Sequence, residues 1–156
     1  MDALIDKMKI PPSLLGKLNE TNINKSTNSE LRNSLEKDGY LFLRNIINPN
    51  EIEAARNDVF KRLNEVNELK EPYKDGISSG KSNRDKMCDN RGDFWESVSS
   101  IKSLRQVTNG KILENVFSKI FGSPSIGFDF IFLRAVAGGK FTHMHCDAGF
   151  FTRVTK

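Results

Sequence analysis

Apolar and polar positions follow three different rhythms along this chain of 156 residues. The first 28 residues have none that is sustained. Pro11-Pro12 interrupts any early helix, and Asn19 to Asn28 is a polar run around one apolar residue, Ile23. Residues 1–28 therefore read as a solvated, flexible lead-in. A helical rhythm then begins. Thr27 and Glu30 have capping-box spacing, Leu31 and Leu35 lie four apart, and Gly39 stands where a C-terminal cap belongs, so the spacing predicts a helix over 29–37. Tyr40-Leu41-Phe42-Leu43-Arg44 is too short for a second helix and rich in aromatic residues, and it reads as a buried strand. Asn48-Pro49-Asn50-Glu51 combines a capping side chain, a proline suited to the first helical position and an acid at the positive end of the helix dipole. Ile52, Ala55, Val59, Leu63 and Val66 continue it as one apolar face to about residue 67.

Residues 71–93 lose the rhythm again and read as a long loop, disordered or a functional lid, with Phe94-Trp95 pinning its far end to the core. Helical spacing returns over 97–107 and more clearly over 110–121, where Gly122 and Pro124 stop it. After Pro124 the period changes to two. Ile126, Phe128, Phe130 and Phe132 alternate with Gly127, Asp129, Ile131 and Leu133, which predicts a strand reaching about Val136. Ala137-Gly138-Gly139-Lys140 reads as a tight turn and Lys140 to Cys146 as the next strand. Helices followed by strands make the expected class α+β.

Composition narrows the picture little. The charge balance, 24 basic against 20 acidic residues for a net +4, is spread along the chain, which argues against a nucleic-acid partner. No window approaches the ~18 apolar residues of a membrane span, and the N-terminus has no basic region leading into an apolar run. Cys88 and Cys146 then read as reduced thiols in an intracellular compartment, the cytoplasm by default; Val154-Thr155-Lys156 is not a Ser-Lys-Leu-type peroxisomal address.

The chemistry concentrates in Phe141-Thr142-His143-Met144-His145-Cys146-Asp147, which holds both histidines of the chain. Two imidazoles and a carboxylate are the ligand set of mononuclear non-haem iron sites and also suit zinc. On a strand, alternate side chains share a face, and His145 and Asp147 would have Cα atoms ~6.6 Å apart. His143 and Asp147 would be ~13 Å apart on a straight strand, too far to share one ion. The spacing thus favours a His145-x-Asp147 pair completed by a ligand from elsewhere. His143 is then a strand residue beside the site, Cys146 points to the opposite face, and Phe150 and Phe151 pack.

Two stretches together resemble the phytanoyl-CoA dioxygenase family, over roughly residues 30–156. Asp38-Gly39-Tyr40-Leu41-Phe42-Leu43, followed by Ile46-Ile47-Asn48-Pro49-Asn50-Glu51-Ile52, resembles the opening of that family. Phe132 to Asp147 looks like its strand–turn–strand leading into a His-x-Asp iron motif. The resemblance implies a double-stranded β-helix, or jelly roll, of which residues 29–156 would hold the N-terminal helices and first strands. It implies Fe(II) held by His145, Asp147 and a distal histidine. It also implies 2-oxoglutarate as cosubstrate, held by a basic residue beyond that histidine, with Arg134 a further candidate for one of its carboxylates. The implied reaction hydroxylates a small-molecule substrate, such as an acyl-CoA or a small metabolite, while 2-oxoglutarate is decarboxylated to succinate.

No histidine follows His145, so the expected distal ligand and the basic residue beyond it are missing from these residues. The chain accordingly reads as the N-terminal part of such a domain, truncated and inactive as it stands. Two alternatives from other classes are a non-catalytic relative acting in protein interaction and an unrelated zinc-binding β-domain using His143, His145 and Asp147.

Overall fold

The computed structural model describes residues 3–5, 7–88, 91–133 and 135. Its architecture is helical. The contacts divide the chain into two compact units, one of them Asn19–Ala137, with Met1–Leu18 belonging to the other. Within Met1–Leu18, β1 (Leu4–Ile5) pairs antiparallel with β2 (Met8–Lys9), and a single 3₁₀ turn follows at Pro12–Leu14. That two-residue ladder is the only sheet among the described residues.

In the larger unit, α1 (Asn28–Asp38) forms because both of its ends are satisfied locally. The Thr27 hydroxyl accepts from the Glu30 N–H at 3.2 Å, and the Glu30 carboxylate accepts from the Thr27 N–H at 2.7 Å. Gly39 closes the helix in the left-handed region at φ 75°, where a side chain would be strained, and donates its N–H to Leu35. The second helix, α2 (Pro49–Glu65), starts as its sequence dictates, with the Asn48 side chain accepting from the Asn50 N–H at 2.9 Å. Three short helices follow: α3 (Arg84–Met87), α4 (Arg91–Ser99) and α5 (Lys102–Thr108). The one helix expected over 97–107 is therefore two, broken at Ile101, whose backbone is extended (ψ 128°). Beyond them α6 (Lys111–Phe121) ends on Gly122.

Two apolar clusters hold these helices. In one, α1 packs against α6, with Leu31, Val116, Ile120 and Ile23 buried together and Leu41, Leu43 and Ile46 against them. Ile23, expected in a solvated lead-in, is a core residue. In the other, Leu63 and Val66 at the end of α2 meet Phe94 and Val98 of α4. Along its length α2 also packs on α5, where polar contacts link the pair: Ser103 donates to Asp58 at 2.6 Å and Gln106 to Glu51 at 3.0 Å.

The expected α+β class, with the first strands of a jelly roll, is overturned. Tyr40–Arg44 is not a sheet strand. Only Phe42 bridges, to Glu20, and Leu41 and Leu43 are half-buried against the α1–α6 core instead. Residues 126–133 form no ladder, and Ile126, Phe128 and Phe132 are 89%, 83% and 80% exposed. The residues alternate in sequence, but a strand is stable only when neighbouring backbone satisfies its N–H and C=O groups, and alternation does not specify that neighbour. Here one side chain of α5 and the residue that caps it take up backbone oxygens of the segment: Arg105 donates to Asp129 O, and Asn109 to Phe128 O at 2.8 Å. The second expected strand, Lys140 to Cys146, lies outside the described residues. Among those residues no helix is long and apolar enough to cross a membrane.

Candidate functional site

The two residues singled out as metal ligands, His145 and Asp147, lie outside the described residues, as do His143, Arg134, Cys146, Phe150 and Phe151. Among the described residues, no group of three or more His, Cys, Asp or Glu side chains is placed to hold a metal ion. Cys88 is a free thiol, half-buried against the Val66–Phe94 cluster. Two other arrangements of polar side chains are well built.

The first closes the loop that the sequence leaves open as disordered or a lid. Leu69 and Ser78 face each other in an antiparallel bridge. Lys70 N–H donates to Ile77 O, Ser79 N–H to Glu68 O and Asn83 N–H to Val66 O, each at 2.8 Å, so residues 67–83 return on themselves. Beside that closure Arg84 is clamped. Its guanidinium lies 4.6 Å from the Phe94 ring centroid and 4.2 Å from that of Trp95, and it pairs with Glu68 at 2.5 Å. Glu68 also accepts from the Ser82 hydroxyl at 2.7 Å. The Arg84 and Glu68 side chains are 17% and 16% exposed, and Arg84 Nε is buried without a hydrogen-bond partner. These partners come from the loop and from α4, so the cluster anchors the loop to that helix.

The second arrangement is an open groove of about 930 Å³. One wall is the segment from Glu20 to Asn24, held by the Thr21 N–H donating to Phe42 O at 2.8 Å. A second is Arg44 to Ile46, and α6 with its Gly122–Pro124 turn completes it. Two residues of the α1–α6 core, Ile23 and Val116, line its floor. Above it stand polar groups: Asn28, Asn45 and Asn115, whose side chains make no hydrogen bond among the described residues, and two cations, Arg44 and Lys119. Arg44 lies over the Phe42 ring at 4.6 Å and reaches Glu20 only at 3.7 Å, longer than a hydrogen bond. Lys119 has a long contact, 3.4 Å, to the Ile23 carbonyl. An arrangement of amides and cations over an apolar floor is suited to a hydrophilic ligand carrying negative charge. Sequence reading missed it because one wall is the Asn-rich run that reads as solvated linker; only its contact with Phe42 turns it into a wall.

Compared with known proteins, the chain matches no family model, no curated protein and no solved structure.

Proposed function

We propose that the chain carries the iron-binding His-x-Asp pair of an Fe(II)- and 2-oxoglutarate-dependent hydroxylase of the phytanoyl-CoA dioxygenase type. The observation that carries this reading is the order of two signatures in one chain: Asp38-Gly39-Tyr40 with Asn48-Pro49-Asn50-Glu51, and then His145-Cys146-Asp147 after a Gly-Gly turn motif. The local conformation at the first signature supports it. A helix ends on left-handed Gly39, and the next begins at Pro49 under an Asn48 cap. An imidazole and a carboxylate suit Fe(II) chemically, and the carboxylate adds negative charge that favours a divalent cation. Bound iron would supply hydroxylation of an unactivated C–H bond coupled to decarboxylation of 2-oxoglutarate. The substrate class would be acyl-CoA thioesters or small metabolites.

The test is titration with Co(II), a spectroscopic stand-in for Fe(II), on the protein and three variants. His145→Ala and Asp147→Ala are each expected to weaken binding by about tenfold or more, and His143→Ala by no more than about threefold. Equal losses from His143→Ala and His145→Ala would refute the pair and favour a three-ligand zinc site.

The exposure of Ile126, Phe128, Phe130 and Phe132 favours a second reading, a non-catalytic relative that acts in protein interaction. It predicts that wild-type protein and all three variants show no saturable Co(II) binding.

A further inference from the structure

We infer that the groove between Glu20–Asn24, Arg44–Ile46 and α6 is a binding site for a small phosphorylated, hydroxyl-rich molecule of the sugar-phosphate class. The inference is independent of the proposed metal pair, since every residue it uses belongs to the unit Asn19–Ala137.

Size comes first. A volume of about 930 Å³ lies within the range of small-molecule sites, roughly 300–1,000 Å³. Chemistry then selects the ligand. Small-molecule sites in general are lined mainly by hydrophobic and aromatic side chains, with a few polar groups that orient the ligand. This one has no aromatic lining residue, and its walls carry Asn22, Asn24, Asn28, Asn45 and Asn115. A carboxamide offers two N–H donors and an acceptor oxygen, which matches a hydroxyl's capacity to accept and donate. Three of these amides, Asn28, Asn45 and Asn115, have that capacity unspent within the described residues.

Charge supplies the remaining selection. Two cations line the groove against one carboxylate, Glu20. Arg44 and Glu20 are both 59% exposed and 3.7 Å apart, so their attraction is weak and leaves the guanidinium donors available. Stacking on Phe42 limits the orientations of that guanidinium before any ligand arrives. Lys119 enters from α6 as a compact point charge with three donors, of which the long contact to Ile23 occupies at most one. A phosphate has enough acceptor oxygens to engage both cations while attached hydroxyls meet the amides.

The experiment measures binding of ribose 5-phosphate, inorganic phosphate and ribose by calorimetry at low salt, with the whole chain. Ribose 5-phosphate is expected to bind in the millimolar range or tighter, phosphate more weakly, and ribose not measurably up to about 10 mM. Lys119→Gln and Arg44→Gln are each expected to weaken ribose 5-phosphate at least about fivefold, and raised salt should weaken it further. Asn115→Leu should abolish the preference for ribose 5-phosphate over phosphate. Lys111→Gln, on the same helix but outside the groove, should leave binding unchanged. Circular dichroism establishes that each variant is folded. The inference is overturned if neither anion binds saturably to the wild type, or if Lys111→Gln weakens binding as much as Lys119→Gln does.

Discussion

Replacing Glu68 by Ala should cost the protein about 3 kcal/mol of stability, whereas replacing its partner Arg84 by Met should cost about half as much. The asymmetry follows from what each change leaves behind. Glu68→Ala removes the carboxylate that neutralises a guanidinium only 17% exposed, and also the acceptor of the Ser82 hydroxyl bond. The stranded cation keeps its two aromatic faces, Phe94 and Trp95, but they do not neutralise it, which places the loss at the lower end of the 3–5 kcal/mol expected for one partner of a buried pair. Arg84→Met leaves an unbranched apolar stem on the same rings and removes Nε, a buried donor with no acceptor. Glu68 then retains Ser82 as a donor. In the double variant neither charge is stranded, so its loss should be about 2.5 kcal/mol, a coupling of about 2 kcal/mol. Urea unfolding followed by fluorescence measures all four proteins, and the single tryptophan, Trp95, sits beside the pair. Strict additivity of the two single losses, or a larger loss from Arg84→Met than from Glu68→Ala, would refute the claim that this ion pair closes the loop.

Three further outcomes test the packing and the caps. Leu31, fully buried between α1 and α6, should cost about 3 kcal/mol when changed to Ala, and a loss below about 1 kcal/mol in urea unfolding would place it outside the core. Gly76 has φ 66°, and a Cβ there would collide with the Phe60 ring, so Gly76→Ala should lower the melting temperature; an unchanged temperature would show that the loop does not pack on α2. Glu30 titrates below the ordinary glutamate value of 4.5 because the Thr27 N–H, and then the Thr27 hydroxyl, hydrogen-bond its carboxylate. Its contribution is therefore fully present above pH 4.5 and is lost as pH falls through the lowered value. The stability difference between wild type and Glu30→Ala should shrink over that acidic interval, and a difference that grew there would refute the capping role.

The helices α1, α2 and α6 were legible because their boundaries are decided within about one turn. Thr27 needs only Glu30, Asn48 needs only Asn50, and Gly39 and Gly122 stop their helices by backbone conformation. The break at Ile101 was not legible, since neither glycine nor proline marks it. The loop over 71–93 carries no periodic signal, because what closes it is a contact between residues 16 positions apart, Arg84 and Glu68, together with two aromatic faces. That contact depends on where α2 ends and α4 begins, and no short window of sequence contains it.

The same distinction explains why the two candidate sites differ in visibility. His145-x-Asp147 stands out in sequence because residue type and spacing are local properties of three residues, and the proposal of a metal pair there rests on that pattern. The groove was invisible because its cations, Arg44 and Lys119, are 75 positions apart and belong to no motif. They share a cavity only because the Leu31–Val116–Ile120 core holds α6 against α1, and because Thr21 ties the Asn-rich run to Phe42. The α1–α6 core is thus a precondition of the groove as well as of the fold. A core substitution such as Leu31→Ala should then weaken ribose 5-phosphate although it alters no residue that lines the groove. Lys119→Gln should weaken it with stability unchanged. Measuring binding and urea stability on both variants separates a site made by packing from a surface on which two charges lie independently. On that surface, Leu31→Ala would lower stability and leave affinity intact.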